Sequence, residues 1–176
     1  MSERLTKLNI KNGIIDLNEK RLPLYDGTDE GDWKTVWDEI SATFNQSDGF
    51  VFVSPEWDGM FSVGLHNMFH YADKELADKP VLAVGVSSGR GGRYPLQQMR
   101  IMGYKNKRVV VMPESLFFDH IKESLVDGKL VDERMVERTD FMHSGSCLNT
   151  PKLYRQSAKA ESLIIRSFLA DYRVLT

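Results

Sequence analysis

The chain has 176 residues, 41% of them hydrophobic and 27% charged, with a formal net charge of −2; this length fits a single domain, residues 1–176, with room for a real core. The near-neutral balance offers no long basic stripe to neutralise phosphates, which argues against nucleic-acid and membrane-surface partners. No run approaches the roughly 20 apolar residues of a membrane span, the start lacks the apolar core of a signal peptide, and the one cysteine, Cys147, allows no intrachain disulfide; the expected setting is cytoplasmic.

In chain order, Met1, Leu5 and Leu8 fall at helical spacing and predict a short helix over 3–11, with Asn12-Gly13 as its stop. Residues 13–17 (GIIDL) read as a short strand, and 21–27 as an irregular connection. Trp33, Val36, Trp37, Ile40 and Phe44 trace one face of a helix with Asp32 as N-cap. Residues 50–53 (FVFV) are bulky and apolar throughout, as a parallel strand buried on both faces must be. A helix over about 61–75 follows, ending before Lys79-Pro80, then a strand over 81–86 and a helix over about 93–102. Residues 108–112 (RVVVM) form a further buried strand closed by Pro113. The pattern weakens from 114 to 150, where Asp127-Gly128 marks a turn and 132–141 a possible helix. A strong final helix is expected over 152–171, with Pro151 at its start.

Strands alternating with helices imply a parallel sheet with helices on both faces. In such sheets ligands sit beyond the carboxyl ends of the strands. Two loops leave adjacent strands there: Ser54-Pro55-Glu56-Trp57-Asp58-Gly59, and Ser87-Ser88-Gly89-Arg90-Gly91-Gly92. They are expected to form the wall and floor of one pocket. Read without further context, the first is equally a plain Pro/Gly turn and the second a flexible loop or weak anion nest. Trp57 either stacks on a ligand or packs against a neighbouring subunit. Arg90 and Arg93 either meet a cofactor phosphate or stay solvated.

Pro55-Glu56-Trp57-Asp58-Gly59, followed by Gly64-Leu65-His66-Asn67, resembles the signature loop of the NAD(P)H-dependent FMN reductases, flavodoxin-like enzymes that include quinone, chromate and azo-dye reductases. Other segments match in order: Asp16-Leu17 with Leu22-Pro23-Leu24-Tyr25, Lys79-Pro80-Val81, the loop from Ser87 to Gly92, and Asp127-Gly128-Lys129-Leu130. The resemblance implies an α/β, flavodoxin-like, doubly wound sheet. It implies FMN as cofactor and NAD(P)H as co-substrate, a small-molecule electron acceptor such as a quinone or free flavin, and a homodimer or homotetramer with helices such as 61–75 at the interface. FMN-binding residues would be Ser2, Pro55, Glu56, Trp57, Asp58, Gly59, Ser87, Ser88, Gly89, Arg90 and Gly91. Backbone N–H groups of Glu56, Trp57 and Asp58 would meet the ring edge, with Ser87, Ser88 and Gly89 covering the rest. Hydride passes directly to flavin, so no catalytic acid, base or nucleophile is expected.

The sequence departs from the family pattern at Ser62 and Val63, where a proline and a glycine are usual, and at His66, where a lysine is usual. The family also opens with a central strand and a Gly-Ser-rich phosphate loop, of which Ser2 would be the last remnant. In strand order 2-1-3-4-5 the missing strand belongs between 13–17 and 50–53. Three accounts are open: a start upstream of Met1, a shortened relative, or a strand supplied by a partner chain. The alternative to a reductase is a non-catalytic flavodoxin-like binding or assembly subunit without the phosphate site.

Other chemistry-bearing residues read as structural. His66 and His70 share the i, i+4 spacing of a metal pair but lack a third ligand, so no metal is expected. Cys147 has only His143 nearby in sequence and reads as an incidental thiol. Trp33 and Trp37 read as helix-face packing, and Lys105, Lys107 and Arg108 as a solvated strand entrance.

Overall fold

A computed structural model describes residues 2–7, 9–28, 31–143 and 161–166. Helix α1 spans Ser2–Lys7 and ends at Asn9, whose φ of 58° supplies the left-handed stop expected three residues later. Strand β1 (Lys11–Asp16) follows, then α2 (Trp33–Gln46), which buries Trp37, Ile40 and Phe44. Asp32 precedes α2 but makes no capping bond through its side chain, because its own backbone is already helical. Strand β2 (Gly49–Pro55) is buried at every residue. Helix α3 (Val63–Tyr71) is shorter than expected, since Ala72 turns extended before a single 3-10 turn at Lys74–Leu76.

Strand β3 (Pro80–Val86) and helix α4 (Tyr94–Ile101) fall where the pattern puts them. Strand β4 (Val110–Phe118) does not stop at Pro113. Val81 pairs with Val111 but Ala83 pairs with Ser115, so one residue of β3, Leu82, faces three of β4. Proline is tolerated because β4 is an edge strand and Pro113 lies in the bulge, where no ladder donor is needed. A short helix α5 (Ile121–Ser124) leads to a hairpin, β5 (Leu125–Val126) and β6 (Lys129–Leu130). Its turn has Asp127 and Gly128 both at positive φ, 47° and 76°, the twist that suits a two-residue hairpin. Helix α6 spans Glu133–His143.

Strand β7 (Glu161–Arg166) corrects the sequence reading most strongly. These residues were expected inside a final helix, yet they form a strand parallel to both β1 and β2. The sheet order is β1-β7-β2-β3-β4, so β7 fills the slot expected to be vacant. The strand comes from late in this chain rather than from a partner. Two parallel ladders would otherwise face each other unpaired, and the Leu163-Ile164-Ile165 run has the β-branched character of a central strand. The rest of the expected helix, with Pro151 and Cys147, lies outside the described residues.

Both sheet faces are covered. Phe50, Phe52, Val81 and Ala83 meet residues of α2, α3 and α4 on one face. Val51, Val53, Leu82, Val84 and Val86 meet Leu5, Met135 and Met142 on the other. No helix among the described residues is long and apolar enough to cross a membrane.

Candidate functional site

The site begins where β2 and β3 end side by side, with Pro55 paired to Val86. Trp57 and Met60 exchange backbone bonds, N–H to C=O at 3.0 and 2.8 Å, around a tight turn. Asp58 (φ 49°) and Gly59 (φ 76°) occupy its two left-handed positions, which is why an Asp-Gly pair stands there. Two fully buried serines flank the loop, Ser54 in β2 and Ser62 at the entry to α3. The Ser62 N–H donates to Ser54 Oγ at 2.9 Å, and Ser62 Oγ accepts from the Leu65 N–H at 3.4 Å to cap α3. From α4, Gln98 Oε1 accepts the Phe61 N–H at 2.9 Å. The loop is therefore held at both ends before any ligand is considered.

The second loop is anchored to β4. The Ser87 N–H donates to the Phe118 carbonyl at 2.8 Å. The Gly89 and Ser87 carbonyls accept from the His120 and Ile121 N–H groups at 3.0 and 3.1 Å. The loop folds back on its own strand so closely that a Cβ on Gly85 would lie 1.8 Å from the Gly92 carbonyl oxygen. The two loops are joined by one short bond, from the Gly92 N–H to Glu56 Oε2 at 2.6 Å.

The two loops thus bring together ten of the eleven residues singled out from sequence. Pro55 and Gly91 are buried; Glu56, Trp57, Ser87 and Gly89 are half-buried; Asp58, Gly59, Ser88 and Arg90 are exposed. Ser2 does not join them. Its hydroxyl donates to Asn12 Oδ1 at 2.6 Å. Asn12 is level with Ser162 and so with Gly49, the first residue of β2. At ~3.3 Å per strand residue, that is roughly 20 Å from the edge where the loops emerge.

The amides that would meet a ring edge divide in two. Glu56 N–H is taken by the Val86 carbonyl at 2.8 Å and Trp57 N–H by Met60. Asp58 and Ser88 N–H donate to no acceptor among the described residues. Open ground lies on the loops' outer face: a Cβ on Gly89 would meet nothing within 4 Å, and one on Gly59 only the Tyr94 ring at 3.9 Å. Two free main-chain donors, beside glycines with open space around them, fit one edge of a planar heterocycle. Tyr94, exposed at 65% with its ring close to Gly59, is an aromatic that sequence reasoning missed. The signal was its place as first residue of the helix after the glycine loop. Arg93 lies with its guanidinium 4.1 Å from the Phe117 ring centroid, whereas Arg90 has no charged partner among the described residues.

The histidine pair sits further along α3. The His66 and His70 rings are 5.1 Å apart, His66 lies against Phe61, and His70 stacks on Tyr25 at 5.5 Å. Burial, then the neighbouring His70, pulls the His66 pKa below its ordinary value. Among the described residues no group of three or more His, Cys, Asp or Glu is placed to hold a metal.

Comparison with known proteins bears on this arrangement. The model of a family described as NADPH-dependent FMN reductase matches residues 1–123. A quinone reductase of Escherichia coli (strain K12) is 32% identical over 126 residues, covering 64% of this chain and 64% of that protein. An NADH:(hydroxy)cinnamate reductase subunit, CrdA, of Vibrio ruber is 28% identical over 134 residues, covering 72% and 66%. The chain thus spans about two thirds of the length of these curated relatives. A solved oxidoreductase of Corynebacterium diphtheriae aligns with a TM-score of 0.49 at 18% identity, covering 60% of this chain and 57% of that one.

Proposed function

The chain belongs to the NADPH-dependent FMN reductase family, and from that premise we propose that it binds FMN across the two joined loops and works as an NAD(P)H-dependent oxidoreductase. The single observation that carries the reading is the pair of glycine-containing loops, at the carboxyl ends of adjacent parallel strands, tied by the Glu56–Gly92 bond. When bound there, FMN would supply the chemistry of hydride acceptance from a nicotinamide and electron delivery to a quinone, free flavin or similar small molecule. The chain's own part is to bind and orient. Asp58 and Ser88 offer main-chain donors, Gly59 and Gly89 keep the surface flat, and Trp57 and Tyr94 border the ground where a second planar molecule would lie. Arg90, exposed on the second loop, would meet an anionic group of the nicotinamide cofactor. Exposed Met60, Val63, Tyr94, Ile101 and Tyr104 suit burial in a homodimer or homotetramer.

The experiment is a titration of the apoprotein with FMN, read by quenching of flavin fluorescence, followed by NADPH and NADH oxidation with and without a quinone. Saturable quenching with acceptor-dependent oxidation is the expected result. A non-catalytic binding or assembly role gains support from one observation, the distance of Ser2 from the loops. A folded protein that leaves FMN fluorescence unchanged would decide for that role.

A further inference from the structure

We infer that the Glu56 side chain is the positioning residue that sets the spacing of the two loops, acting through the hydrogen bond that its carboxyl oxygen accepts. The inference rests on the flavin reading for its consequence but on geometry for its substance.

Three observations converge on one point. Glu56 Oε2 accepts the Gly92 N–H at 2.6 Å. A Cβ on Gly91 would lie 3.0 Å from Glu56 Oε1 and 2.9 Å from Ser87 Oγ, so the carboxylate fills the space against the second loop that only a glycine leaves. Gly92 has φ 80° and its carbonyl lies close against Gly85, so the residue that donates to Glu56 packs directly on the strand beneath. Meanwhile the Glu56 backbone N–H is bound to Val86 at the end of β3. One residue thus bonds the neighbouring strand through its main chain and that strand's loop through its side chain. Asp58 N–H and Ser88 N–H, the free donors on either side, are held at a set separation by this double attachment. A half-buried side chain bonded to main chain has no need to touch the ring to govern its binding.

The acceptor role separates two substitutions. Glu56→Gln keeps an amide oxygen that can take the Gly92 N–H, whereas Glu56→Ala removes the bond. Gly91→Ala leaves Glu56 in place but pushes a methyl group into its carboxylate. Binding of FMN and of riboflavin is measured by fluorescence quenching for each variant, with exchange of the Gly92 amide followed by NMR in the absence of flavin. Glu56→Ala and Gly91→Ala are expected to raise the Kd about tenfold, or ~1.4 kcal/mol, for FMN and riboflavin alike, because the ring slot and not the phosphate is disturbed. Glu56→Gln is expected to stay within about twofold of the parent, the conservative rescue that a positioning acceptor allows. Gly92 exchange should accelerate in Glu56→Ala only slightly less than in an open loop, and remain slow in Glu56→Gln. Unchanged affinity in Glu56→Ala, or Glu56→Gln as weak as alanine, overturns the inference. If the parent protein itself binds no flavin, the proposed function fails, and the Gly92 exchange rates alone decide the clamp: equal rates in parent and Glu56→Ala overturn it.

Discussion

Single side chains explain how α3 comes to carry the first loop. Asn67 is buried, and its amide donates to the Pro23 and Leu22 carbonyls at 2.6 and 3.3 Å while its oxygen accepts the Tyr25 N–H at 2.9 Å. The Tyr71 hydroxyl adds a bond to the same Pro23 carbonyl at 3.0 Å. The irregular 22–25 segment therefore has three of its backbone polar groups met by α3, the Leu22 and Pro23 carbonyls and the Tyr25 N–H. Tyr25, so placed, stacks on His70, and His70 lies beside His66. That sequence of contacts has a measurable consequence at His66, whose folded pKa lies below its ordinary 6.5. Between the two values the unfolded chain holds more protons than the folded one, so stability falls as pH drops below about 6.5 and is fully present above it. His66→Gln should flatten the decline of Tm on acidification through that window, relative to the parent protein. An identical slope in both proteins would show that proton uptake at His66 is not coupled to folding.

At the scale of elements, β2 and the late hairpin turn were legible because each meets a local rule. Residues 50–53 are apolar on both faces and are buried on both. Asp127-Gly128 is a two-residue turn signal and forms that turn. The course of β4 beyond Pro113 was not legible, because a proline forbids a ladder donor but says nothing of whether the strand is an edge with a bulge to absorb it. The loops themselves were legible as loops, while their mutual contact was not: a glutamate in one and a glycine in the other carry no sequence mark of being partners. The bond between Ser54 and Ser62 escaped notice for the same reason, since a buried serine differs from a solvated one only in what surrounds it. Among these contacts Gly85 is the most demanding. Any Cβ there would stand 1.8 Å from the Gly92 carbonyl oxygen, and backbone on both sides leaves nothing soft to yield. Gly85→Ala must therefore push the 87–92 loop off β3 and break the Glu56 bond with it. Its urea midpoint should fall by an amount equivalent to about 3 kcal/mol, in line with other overpacked interiors. A midpoint within error of the parent would mean the loop does not lie on the strand as described.

The whole molecule turns on one long-range fact, that the sheet is completed by β7 from beyond residue 160. Local pattern could not reveal this. Leu163-Ile164-Ile165 is compatible with a helix face as well as a strand, and only the two open ladders of β1 and β2, remote in sequence, select the strand. The family's strand order led to a gap at this position; filling it from the far end of the chain keeps the order and changes the connectivity. It also places a load on β7 that an edge strand does not bear. Ile164 pairs with Ile14 on one side and Val51 on the other, so the backbone there has a neighbour in both directions. A proline at that point removes a donor with no bulge to excuse it and fixes a φ unsuited to the ladder. Pro113, in the bulge of the edge strand, makes the opposite case within the same sheet. Replacing Ile164 by proline should therefore lower stability by about 3 kcal/mol or more, enough to leave a domain of ordinary margin largely unfolded, whereas Pro113→Ala should shift it by under ~1 kcal/mol. Chemical denaturation followed by far-ultraviolet circular dichroism reads both. An Ile164→Pro protein that unfolds cooperatively at the parental midpoint would remove β7 from the sheet, and with it the strand that separates β1 from β2.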